Sequence, residues 1–182
     1  MEGVALDGFD MITCMYAIHY MFNNENDLDS FLQNVSENLL DQGYFIGTCL
    51  DGMSILKEMG RKNEIIGDID GKTVFFIRKN EVDNPEAYKD ITVGNKITVF
   101  YEKFAGYFPE NLVNISYLKE KAKGHNLKLI EFRTFLEEPG NLLSQYSASN
   151  AQNAKMIRQS EAMMTWAKFN CYFVFQKIRG KE

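Results

Sequence analysis

Gly8-Phe9-Asp10-Met11-Ile12-Thr13-Cys14-Met15-Tyr16-Ala17-Ile18-His19-Tyr20-Met21-Phe22 is the stretch on which the fold turns. Residues 9–16 read as a buried strand. It stops at a cluster of aromatics around His19, one of only two histidines in the chain. In an open α/β sheet, ligands gather at the carboxyl ends of the strands. A strand that delivers Tyr16, His19, Tyr20 and Phe22 to that end is suited to hold something flat. The same residues also fit a strand whose following aromatics simply pack into a core.

Outward from this strand the elements alternate. Leu28, Phe31, Leu32, Val35 and Leu39 fall at helical spacing, which predicts a helix over 26–40. Asn26 and Asp29 suit its first turn, and Asp41-Gln42-Gly43 ends it, with Gly43 placed for a left-handed residue. A second buried strand follows at 44–50, then a short helix over 52–60 closed by Gly60. Residues 63–68 and 72–79 read as strands joined at Asp70-Gly71, and 96–104 as another after Gly94-Asn95. A helix is expected over 110–124, a partly alternating strand over 127–135, and a closing strand over 169–178. The Ser-, Asn- and Gln-rich stretch 137–160 reads as loop or loose helix. Strand–helix–strand alternation implies a parallel sheet with helices on its faces.

At 182 residues the chain is expected to form one domain, with 45% hydrophobic and 13% aromatic residues to build a core. A net charge of -5 argues against a broad nucleic-acid-binding face but leaves room for a small nucleotide pocket. Cys14, Cys49 and Cys171 sit in apolar, strand-like runs without C-x-x-C spacing. They read as reduced core residues of an intracellular protein, not as a disulfide framework or zinc site. No run reaches the length of a membrane helix, and no signal peptide is expected.

The opening stretch, F-D-x-I-x-C-x-[FY]-x-x-H-Y-x-F, resembles the central motif of the eukaryotic and viral mRNA cap guanine-N7 methyltransferases. Further blocks match in order. They are Gly43-Tyr44-Phe45-Ile46-Gly47-Thr48, Leu50-Asp51-Gly52 running into a short helix, and Pro109-Glu110 before a helix that leads to Asn126-Leu127-Lys128-Leu129. The last is Trp166, six residues before Tyr172. The order and spacing of five blocks, more than any one of them, carry the resemblance.

The resemblance implies an α/β fold: part of a class I (Rossmann-like) S-adenosylmethionine-dependent methyltransferase sheet, with helices on both faces. A small β-rich insertion would occupy 61–105, and the last two strands would form a reversed pair. It implies that 1–182 is the C-terminal part of a methyltransferase domain, beginning at the family's fourth strand. None of the thirteen glycines forms G-x-G after a leading strand. Most contacts to S-adenosylmethionine are therefore expected outside this chain, which alone would be inactive. The implied substrate is the GpppN end of capped RNA, with other capping-enzyme domains as further partners. The first strand would expose an unpaired edge open to self-association. The implied setting is the nucleus or a viral replication site in the cytoplasm. Asp51-Gly52 and the Ile18-His19-Tyr20 context lean toward a large DNA virus. A different reading is a non-catalytic, methyltransferase-like partner or allosteric subunit of a capping complex. A small-molecule methyltransferase is a further reading, against which Glu110, His19 and Tyr172 argue.

Methyl transfer from a sulfonium to guanine N7 needs no general base, because N7 carries a lone pair and no proton. No catalytic acid–base residue and no metal are expected; proximity and electrostatics remain. By resemblance, Glu110, His19, Tyr16 and Tyr172 are the cap-binding residues, with Tyr16 standing where the family usually has phenylalanine. Glu110 also fits a plain helix-terminal carboxylate, and His19 a hydrogen-bonded core imidazole. Tyr20 and Met15 fall at donor-side positions. Met15 replaces a usual glutamine and cannot supply that residue's polar contact.

Overall fold

The computed structural model describes residues 8–80, 85–104, 106–136 and 160–179. The strands are β1 (Phe9–Met15), β2 (Leu39–Leu50), β3 (Glu64–Ile69), β4 (Lys72–Lys79), β5 (Lys96–Tyr101), β6 (Tyr107–Asn111), β7 (Leu127–Thr134) and β8 (Asn170–Lys177). The helices are α1 (Glu25–Asn38), α2 (Gly52–Met59), α3 (Ile115–Lys123) and α4 (Glu161–Phe169), with a 3-10 turn at Ile18–Asn23. The stretch 137–159 lies outside the described residues.

The strands form two sheets. The first has the order β1-β2-β8-β7. β1 runs parallel to β2, and β8 is antiparallel to both β2 and β7. The two closing strands are thus the reversed pair that was expected. Phe45, Cys49, Cys171, Phe173 and Phe175 turn one face of this sheet toward Leu28, Leu32 and Val35 of α1 and Leu118 and Ala122 of α3. Gly47 is required here by close approach. A Cβ at that position would stand 2.1 Å from the Phe173 ring, well inside contact distance.

The second sheet is antiparallel, in the order β3-β4-β5-β6. Phe75, Ile77, Ile97 and Val99 on its inner face pack with Ile55 and Met59 of α2 and Phe169 of α4 in a second core. It runs through Asn111, so the β-rich stretch extends past the expected limit at 105.

Three local expectations are corrected. The helix expected over 110–124 begins only at Ile115, where the Asn114 side chain accepts from Ser116 N (2.9 Å) and Tyr117 N (3.3 Å). Residues 107–111 are strand, and Glu110 stands opposite Ile97. Pro109 lacks an N–H, which an edge strand such as β6 tolerates. The left-handed residue after α1 is Gln42 (φ 68°) and not Gly43. Gly43 is instead crowded, since a Cβ there would meet Leu40 O at 2.8 Å. Finally, β1 is not a buried strand. Only Ile12 and Cys14 pack on the core, while Phe9, Met11 and Met15 are 42%, 53% and 51% exposed. Successive side chains point to opposite faces, so Phe9, Met11 and Met15 share the face turned away from the core that Ile12 and Cys14 reach.

Candidate functional site

The site lies where the carboxyl ends of β1 and β2 face the inner side of the second sheet. β1 stops at Met15 because Tyr16 adopts a left-handed conformation (φ 51°), its N–H still donating to Thr48 O at 2.9 Å. Such a conformation costs free energy for a residue with a Cβ and persists only when its surroundings hold it. The turn sends the chain across the sheet end into Ile18–Asn23. Ile18 and Phe22 of that turn are fully buried and anchor it in the first core. Phe22 is therefore a packing residue. His19 and Tyr20 are left facing the other way, their rings 4.1 Å apart.

A cavity of about 550 Å³ opens there, lined by Tyr16, His19, Tyr20 and Glu110 together with Tyr101, Phe108, Trp166 and Asn170. Period-two alternation explains the second sheet's share: Val99 and Tyr101 on β5, and Phe108 and Glu110 on β6, point inward together. Trp166 stacks on Tyr101 with centroids 4.8 Å apart and planes 15° apart. Asn170 is 4% exposed and opens β8 directly after α4.

Two titratable groups meet inside these aromatic walls. His19 Nδ1 is 3.9 Å from Glu110 Oε2, too far for a hydrogen bond. Burial pushes the Glu110 carboxyl above its ordinary value and the His19 imidazole below its own. Both shifts oppose charge, so desolvation outweighs mutual attraction and the contact is not a strong ion pair. At neutral pH the imidazole is uncharged. The Tyr16 phenol is likewise held neutral, its pKa pushed up to about 12 first by burial and then by nearby thiols.

Of the six residues singled out from sequence, Tyr16, His19, Tyr20 and Glu110 share this cavity, and Met15 and Tyr172 do not line it. Met15 is exposed at the end of β1, its sulfur accepting from Thr48 Oγ1 at 3.6 Å. Tyr172 donates to Glu131 Oε1 at 3.0 Å. Tyr101, Phe108 and Asn170 were not anticipated. Alternation in 97–101 and 107–110 carried a signal for the first two, once those runs are read as paired strands. Nothing local marks Asn170. Among the described residues, no group of three or more His, Cys, Asp or Glu could hold a metal ion. An aromatic slot with one carboxylate and one neutral imidazole is suited to a flat ring with a polar edge.

Solved structures share the architecture. The CcbJ methyltransferase from Streptomyces caelestis superposes with a TM-score of 0.52 at 12% identity, over 98% of this chain and 61% of that one. A putative S-adenosylmethionine-dependent methyltransferase from Listeria monocytogenes gives 0.52 at 13%, over 98% and 66%. The fold is therefore that of the Rossmann-like S-adenosylmethionine-dependent methyltransferases. Residues 5–171 match the mRNA (guanine-N(7))-methyltransferase domain, and the chain belongs to that family. Among its relatives, mRNA cap guanine-N(7) methyltransferase 1 of Arabidopsis thaliana is 31% identical, over 67% of this chain and 32% of its own length. A probable mRNA-capping enzyme of Acanthamoeba polyphaga mimivirus is 24% identical, over 93% of this chain and 17% of its own length. The chain thus spans about a third or less of these relatives.

Proposed function

We propose that this chain is the cap-side, C-terminal part of an mRNA cap guanine-N7 methyltransferase, and that the cavity holds the cap guanine. The observation that carries this reading is the meeting of Glu110, from β6 of the second sheet, with His19, from the turn that follows β1, inside one aromatic slot. A carboxylate can accept from both N1–H and N2–H₂ of guanine and offset the positive charge that grows on the ring as N7 is alkylated. The neutral His19 ring adds a polar contact without opposing that charge. Tyr16 and Trp166 supply faces for the base. No residue need take a proton, because guanine N7 carries a lone pair and no proton.

S-adenosylmethionine, the donor used by this fold class, supplies an electrophilic methyl on sulfur. By the resemblance Met15 and Tyr20 fall on the donor side, and their exposed side chains leave room for it to approach. The described residues contain no glycine-rich turn to cradle its ribose, so they fit only the methyl-facing part of its site. We assign the remaining contacts to sequence outside this chain, and capped RNA, in the nucleus or at a viral replication site, as the substrate. Met15 in place of glutamine also favours a second reading, a methyltransferase-like subunit that binds a cap without transferring methyl. Titration of the full-length protein with GpppG and with S-adenosylhomocysteine separates the two. Saturable binding of both supports the enzyme, binding of GpppG alone supports the subunit, and binding of neither overturns the cap reading.

A further inference from the structure

Asn170 touches two residues that line the cavity. Its Nδ2 donates to Trp166 O at 2.6 Å, and its Oδ1 accepts from Tyr16 Oη at 2.7 Å. A backbone carbonyl only accepts, so the Trp166 contact fixes which end of the amide is nitrogen. That in turn fixes the Tyr16 hydroxyl as donor, with its proton pointing at Asn170. The Tyr16 oxygen then offers only lone pairs in any other direction. The bond spans from β1's end to β8's start, 154 residues apart in the chain, and it closes over a backbone turn in a conformation tyrosine rarely takes.

We infer that Asn170 is a positioning residue, which holds the Tyr16 ring against the cavity and keeps its phenol an acceptor toward the bound base. This inference rests on the proposed cap site. Its physical basis is that a half-buried phenol needs a partner. Without Asn170 the hydroxyl either stays unpaired or swings toward water, and in swinging it removes the ring face from the slot. A phenylalanine at position 16 has no hydroxyl and would need no such partner. The demand for Asn170 thus arises from the tyrosine itself.

A plain alternative is that Asn170 merely caps α4 through Trp166 O. The experiment separates the two. Asn170→Ser is chosen because a serine hydroxyl can still donate to the carbonyl four residues back but is too short to reach Tyr16. Asn170→Ser, Asn170→Ala, Tyr16→Phe and the two double variants are made in the full-length protein. GpppG binding is followed by isothermal titration calorimetry. Each variant's melting temperature is recorded alongside. In the Tyr16 background both Asn170 variants should weaken binding about fivefold to tenfold, the scale of one lost partly buried hydrogen bond. In the Tyr16→Phe background the same changes should cost less than about twofold. Equal losses in both backgrounds, or losses that follow the melting temperature, overturn the inference. No saturable binding to the parent protein overturns the cap reading and this inference together. If Glu110→Gln abolishes binding while the Asn170–Tyr16 cycle is additive, this inference alone fails.

Discussion

Replacement of Glu110 by glutamine should lower activity while leaving the protein as stable or more so. Glu110 stands on β6 opposite Ile97 and faces the aromatic slot. Burial raises its carboxyl above the ordinary range. The folded state therefore binds the proton more tightly than the unfolded state does. The stability this lends is present below the unfolded pKa and is lost as pH rises through the folded one. At neutral pH the buried charge is a cost, and glutamine, neutral and of the same shape, removes it. In the ligand complex the sign is opposite. Glutamine turns one acceptor oxygen into a donor that would face a guanine N–H, and hydrogen bonds to charged groups contribute about 1.5–3 kcal/mol. Since about 1.4 kcal/mol is a factor of ten, cap methylation by the full-length enzyme should fall roughly tenfold to a hundredfold. The assay is N7 methylation of a capped RNA beside a thermal melt at pH 7. Wild-type methylation, or a loss of activity that comes with a lower melting temperature, would refute the assignment.

Binding of GpppG should weaken on acidification at a higher pH than for an ordinary glutamate, because the raised Glu110 carboxyl protonates earlier; a titration of Kd against pH checks this, and Glu110→Gln should lack that acidic limb. Residues 1–182 alone should bind S-adenosylhomocysteine weakly or not at all, and micromolar affinity by calorimetry would be incompatible with donor contacts lying elsewhere. The exposed edge of β1 should drive self-association, and Met11→Lys should suppress it; light scattering that finds a monomer at every concentration removes the idea. Gly47→Ala should destabilise the fold by about 1–3 kcal/mol, read from chemical denaturation, because the new methyl group overlaps the fully buried Phe173 ring.

Most elements were legible because their signals are local. The spacing of Leu28, Leu32 and Val35 marks α1, and Asp70-Gly71 marks the β3–β4 hairpin. Glu110 and Asn111 read as the start of a helix because Pro109-Glu110 is a good helix opening taken alone. What makes it strand is pairing with β5, which no window of sequence contains. The burial of β1 follows the same logic: its apolar run predicts a strand, but whether both faces are buried depends on what packs over each.

The candidate site divides in the same way. Motif order along the chain identified Tyr16, His19, Tyr20 and Glu110, since a family pattern is a property of residue types and spacings. Their shared cavity is a property of packing, because Glu110 reaches His19 only through the inward pleat of a second sheet. Tyr172 shows the converse, matching the pattern while its hydroxyl turns to Glu131. Asn170 carries no local mark for this role: its bond to Trp166 O is local, but its contact with Tyr16 arises only when β8 lies beside β2. Residue chemistry and periodicity are written along one dimension. Side-chain encounters across 90 to 150 residues depend on register and strand order, which long-range burial selects.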